Sequence, residues 1–250
     1  MALSFFLSLM LGHLIGDFVL QPYWLVMAKR NGWPGLLIHV GVVTFVTAIL
    51  VWASIPIWWV WVIILYLGHL FIDQFRTFVF TDNTNGKGLL LLVLDQLAHI
   101  ALIALLAWAA TGWHFSDLQL LLTDSTPDQF RFIAYLSALA ILIGVVPILE
   151  VEITVAVWAA QGHQVGYTVG IDTADRVLGS LERVVAMILI LTGYGLISPL
   201  IFLPRLATMI FRGQAKANRT AVVCKVLTSF GSTVIISAFL FYIPFPQLVI

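Results

Sequence analysis

The stretch Ala2–Leu20, ALSFFLSLMLGHLIGDFVL, is apolar almost throughout and carries two titratable residues, His13 and Asp17. As a helix rising about 1.5 Å per residue, it reaches roughly 28 Å, close to the thickness of a bilayer's hydrocarbon core. It has no basic leading segment, so it reads as a mature membrane-crossing helix and not as a cleaved signal. His13 and Asp17 stand four positions apart and so share one helical face.

The same character extends outward along the chain. Of its 250 residues, 61% are hydrophobic and only 10% charged, with a mean hydropathy of +1.05, far from soluble averages. Apolar runs of spanning length recur at 36–53, 57–78, 89–110, 130–160 and 222–242. The stretch 174–211 is too long for one ordinary span and has Gly193-Tyr194-Gly195 near its middle, so it reads as two shorter helices. The expected fold is an all-α, polytopic transmembrane helix bundle with about eight membrane segments, or seven without that split. Residues 1–112 form a four-helix half. Residues 113–129, with Asp117, Asp124 and Asp128, form an acidic external loop, and 130–250 form the C-terminal helical half. Pro147 predicts a kink in the fifth segment. Lys29 and Arg30 fall in a short basic loop after Gln21-Pro22. Polar loops are expected at 81–88 and 162–170, and Asp172-Thr173 reads as a helix start.

Charge excludes some functions and orients the chain. The formal net charge is zero, so nothing draws it to nucleic acid. The one cysteine, Cys224, excludes an internal disulfide and a cysteine-based zinc site. Arg205, Arg212, Lys216, Arg219 and Lys225 form a segment without acids, which the positive-inside rule makes cytoplasmic. The loop with Lys29 and Arg30 should be cytoplasmic too. Eight crossings satisfy both, with the two termini external.

The pairing seen at His13 and Asp17 recurs as His69-Leu-Phe-Ile-Asp73 and, reversed, as Asp95-Gln-Leu-Ala-His99. Counted from the helix ends, these three pairs and His39 lie about 5–16 Å below one membrane face. Gln21, Gln74 and Gln96 stand beside them. A carboxylate at mid-bilayer costs roughly 2.5–3.5 kcal/mol, and no Lys or Arg is expected in helices one to four at that depth. The counter-charge must then come from protonated histidine, bound protons or metal. Imidazole with carboxylate is a ligand set for Zn, Mn or Fe, and four histidines with three aspartates suffice for one or two ions. The candidate ligands are His13, Asp17, His39, His69, Asp73, Asp95 and His99, with the three glutamines orienting them. Asp17 or Asp95 is the candidate general base. Asp172, Asp175, Arg176, Glu182 and Arg183 read as structural ion pairs, and Glu150 and Glu152 as pocket-lining or arginine-paired. His114 and His163 read as solvated loop residues.

Leu11-Gly-His-Leu-Ile-Gly-Asp17-Phe-Val-Leu-Gln21-Pro, His39, His69-Leu-Phe-Ile-Asp73 and Leu94-Asp95-Gln96-Leu-Ala-His99 together resemble the bacterial membrane family catalogued as domain of unknown function 3307. Asp175-Arg176-Val-Leu-Gly179-Ser-Leu-Glu182-Arg183 is similar to that family's C-terminal part. The resemblance implies a multi-pass protein of the bacterial cytoplasmic membrane and carries no established activity. A looser likeness of pattern links it to membrane-bound metal-dependent hydrolases with His/Asp motifs. The expected function is an intramembrane metal-dependent hydrolase acting on a lipid or amphipathic substrate at the cytoplasmic side. One alternative is a proton- or ion-coupled transporter or channel. Against it, the outer halves of helices one to four are almost wholly apolar. Another is an accessory subunit of a membrane complex, packing on partners through its small residues and tryptophans, or an oligomer.

Overall fold

A computed structural model describes residues 2–79, 87–122, 128–162, 173–211 and 219–243. Asp124, His163, Asp172, Arg212 and Lys216 lie outside these residues, as do 81–86 and 163–170 of the two expected polar loops.

The described chain is all-α. Its helices are α1 (Ala2–Leu14), α2 (Tyr23–Asn31), α3 (Trp33–Leu50), α4 (Trp58–Gln74), α5 (Gly88–Thr111), α6 (Asp128–Ala140), α7 (Val146–Ala160), α8 (Thr173–Leu191), α9 (Leu203–Phe211) and α10 (Arg219–Phe241). Wider π turns extend α1 over Ile15–Val19 and α4 over Phe75–Val79, and a third, Ile141–Val145, joins α6 to α7. At Pro147, where a kink is expected, a π-bulge stands just before the proline. The ladder widens there, the helix continues, and Asp128–Ala160 runs unbroken.

Among the described residues, six helices are long and apolar enough to cross a membrane: Ala2–Val19, Trp33–Leu50, Trp58–Val79, Gly88–Thr111, Asp128–Ala160 and Val222–Phe241. The chain is therefore a multi-pass membrane protein by length and composition. The remaining two expected crossings are not among the six. α8 carries Asp175, Arg176, Glu182 and Arg183, and Gly195–Phe211 is shorter. The break between them falls where expected: Gly193 has φ +89°, and a 3-10 turn, Gly195–Phe202, follows it.

The chain divides into two compact units. The first holds Met1–Thr81 and Leu91–Ala140 and contains the His/Asp residues. Its core is built on α1, whose Phe5 and Leu9 are fully buried. α1 lies against α3 at two glycines. A Cβ on Gly12 would stand 2.7 Å from the Thr47 Cα, and one on Gly16 would stand 2.5 Å from the Val43 Cα. Only glycine permits backbones this close. The approach puts His13 and Asp17 beside His39. Residues 23–31, expected as a basic loop, form α2 instead. Leu25 is buried while Tyr23, Trp24 and Met27 are exposed. That is an amphipathic helix, and at nine residues it is too short to cross a bilayer.

The second unit holds Ile141–Tyr242 with Asp82–Leu90. It is organised around buried charge. Arg183 donates to Glu150 Oε1 at 2.6 Å and to the Leu142 carbonyl at 2.8 Å. Arg205 donates to Glu150 Oε2 at 2.7 Å and to Asp175 Oδ1 at 2.8 Å, and Lys225 reaches Asp175 at 3.0 Å. Glu182 stands 3.9 Å from Arg205. Among the described residues, Arg183 thus pairs with Glu150, Glu182 lies nearest Arg205, and Asp175 pairs with Arg205 and Lys225. Helix packing brings together residues 33 and 55 positions apart.

Candidate metal centre

α1, α3, α4 and α5 deliver the seven residues to one place, and all but Asp95 are buried. The pairs within a helix are the looser contacts. His13 Nε2 is 3.9 Å from Asp17 Oδ2, His69 Nε2 is 3.5 Å from Asp73 Oδ2, and His99 Nδ1 is 3.9 Å from Asp95 Oδ2. The closer contacts run between helices. His39 Nε2 lies 2.9 Å from Asp17 Oδ1 and 3.1 Å from Asp73 Oδ2. The histidine without an acid on its own helix thus stands between the two aspartates.

The counter-charge is not confined to histidine, bound protons or metal, as a count along the four spanning helices implies. Lys29 Nζ is 2.8 Å from Asp73 Oδ2. Lys29 comes from α2, outside the spanning helices, so a depth count along those helices misses it. Its signal in the sequence is the spacing to Leu25, four positions earlier on the same helical face. Burial depresses the Lys29 pKa, but the Asp73 and Asp17 carboxylates outweigh that, and the net shift is upward. Lys29 is therefore an ammonium at neutral pH and part of the counter-charge.

The glutamines fix which nitrogens face the centre. His99 Nδ1 donates to the Asp95 carbonyl at 2.9 Å, which leaves a lone pair on Nε2. His13 Nε2 donates to Gln96 Oε1 at 3.1 Å. The Gln96 amide nitrogen donates to Asp17 Oδ2 at 3.3 Å and to Asp95 Oδ2 at 3.1 Å. The Gln21 amide lies 3.2 Å from His39 Nδ1. Turning that amide decides whether Nε2 of His39 carries the hydrogen or the lone pair. Gln74 makes none of these contacts.

Among the described residues, His69 Nδ1, Asp73 Oδ1 and His99 Nε2 are buried without a hydrogen-bond partner. Each such group costs roughly 1–3 kcal/mol unless something else satisfies it. A cation suits them. Two groups can hold a metal ion: Asp17, His39 and His69, and His69, Asp73 and His99. In each, the ligand atoms lie within 4.8 Å of one another. Both groups are two histidines and one aspartate, and they share His69. His13, whose Nε2 is held by Gln96, and Asp95, at the rim, are not in either group. His114 is exposed, its backbone N–H bonded to Asp117.

These features define a class: a multi-pass membrane protein with a buried His/Asp cluster able to hold metal. Residues 5–126 match the family model described as Protein of unknown function (DUF3307), so this N-terminal region is similar to that family. All seven His and Asp residues fall inside the match. Asp175–Arg183, read as the family's C-terminal part, lies beyond it. No curated protein and no solved structure matches the chain.

Proposed function

We propose that the chain is an intramembrane metal-dependent enzyme, a hydrolase acting on a lipid or other amphipathic substrate from the cytoplasmic side of the bacterial inner membrane. The observation that carries this reading is the pair of two-histidine, one-aspartate groups sharing His69. Three protein ligands leave coordination positions open, as catalytic sites do and closed structural sites do not. A Zn, Mn or Fe ion held there would lower the pKa of bound water and polarise a phosphoryl or acyl oxygen.

The chain's own residues then divide the work. Asp17, His39, His69, Asp73 and His99 hold one ion or two. Gln96 orients His13 and Asp17, and Gln21 sets the His39 tautomer. Asp95 is the proton acceptor. Its side chain is 12% exposed, against 7% for Asp17 and 1% for Asp73, so it is the carboxylate that substrate and water reach first. Lys29 favours a second reading, a proton pathway, because it partly neutralises the layer without metal.

Metal analysis of the purified full chain, as isolated and after Zn loading, tests the reading. Wild type should hold one or two equivalents. His69→Ala should hold none, since both groups use His69, and His114→Ala should match wild type. Folded wild-type protein that takes up no metal would sink the enzyme reading in favour of the proton pathway.

A further inference from the structure

We infer that Lys29 is an exchangeable counter-ion, a built-in cation that a divalent metal must displace from Asp73, so that α2 reports whether the centre is loaded. The inference rests on the metal reading of the centre and names its regulation.

Three observations carry it. Lys29 Nζ contacts Asp73 Oδ2 at 2.8 Å. The same oxygen lies 3.1 Å from His39 Nε2 and 3.5 Å from His69 Nε2. A cation ligated by Asp73 and His69 would therefore sit within a few ångströms of the ammonium, in surroundings that screen poorly. Two cations cannot share that oxygen at low cost, so loading expels Lys29. Second, Lys29 is mounted to move. α2 is a nine-residue helix, and Leu25 is its one buried residue. Its outward side, Tyr23, Trp24 and Met27, suits the membrane interface whether or not Lys29 is docked. The long lysine stem can also carry the ammonium toward headgroups without unfolding the helix. Third, the docked position is set by the start of α3. A Cβ on Gly35 would lie 2.1 Å from the Ala28 carbonyl and 2.5 Å from the Lys29 backbone nitrogen. Glycine at 35 lets α2 fold back far enough for Lys29 to reach Asp73.

The test uses full-length protein in detergent with Zn as probe. Lys29→Met should bind Zn at least tenfold more tightly than wild type, and Lys29→Arg should not. In wild type, saturating Zn should raise the reaction of Lys29 with an amine-directed reagent severalfold, read by peptide mass spectrometry against Lys87. The labelling decides the matter if Lys29→Met does not fold. Zn bound equally by wild type and Lys29→Met, or Lys29 labelling unchanged by Zn, overturns this inference and leaves the metal centre standing. No Zn bound by any of the three proteins overturns both.

Discussion

His39 has no carboxylate on its own helix, yet its Nε2 stands 2.9 Å from Asp17 and 3.1 Å from Asp73. Along the sequence it is a lone histidine beside three obvious pairs. In space it joins two of them, because inter-helix contacts here are shorter than those at i, i+4. Gln96 has a comparable role. Its one amide accepts from His13 and donates to Asp17 and Asp95, so it holds three ionisable side chains in register. Removing an orienting partner of this kind typically costs about 10–100-fold in metal affinity. Gln96→Leu should therefore weaken Zn binding by about that factor, by titration, while circular dichroism stays that of wild type. An unchanged affinity would make Gln96 a bystander. The residue types of the centre were legible from sequence, since His and Asp are too costly to bury in lipid without purpose. The partition into ligands, orienters and a rim carboxylate was not, because it depends on which nitrogen each neighbour occupies.

At the level of elements, two local departures from ideal geometry shape the centre. Asp17 lies inside the π turn Ile15–Val19, and a second π turn begins two residues after Asp73. A widened turn rotates the residues beyond it, and such bulges are frequent at functional sites. The other departure is the α1–α3 contact through Gly12 and Gly16. Gly16→Val would force the helices apart by the depth of a side chain. Its expected cost is about 1–3 kcal/mol, seen as a lower midpoint of thermal unfolding in detergent, with loss of Zn binding as Asp17 moves away from His39. Gly41→Ala is the control, since a Cβ there meets nothing within 4 Å. An unchanged midpoint and unchanged Zn binding in Gly16→Val would refute the argument. The spanning helices α1, α3, α4 and α5 were legible to within a few residues from apolar run length. α2 was missed because the charges of Lys29 and Arg30 suggested a loop, although Leu25 and Lys29 already marked a helical face.

For the whole molecule, the proposed topology places the α2 side in the cytoplasm and both termini outside. Single cysteines in a Cys224→Ser background test it with an impermeant thiol reagent on intact cells. A cysteine at Ser4 should be labelled without disrupting the membrane and one at Arg30 only after disruption; the opposite pattern would invert the assignment. The sequence by itself determined that the chain is helical, crosses a membrane several times and carries a polar layer in its first half. Those properties follow from hydrophobic run length and from the cost of burying charge, and both are local sums over residues. Only the tertiary structure decided how the charges are balanced. Lys29 reaches Asp73, Glu150 takes both Arg183 and Arg205, and His39 faces two aspartates. Each of these contacts joins residues far apart in the chain. A hydrogen-bonded ion pair needs its atoms within about 3 Å, so partners are chosen by helix packing, which spacing along one helix does not encode.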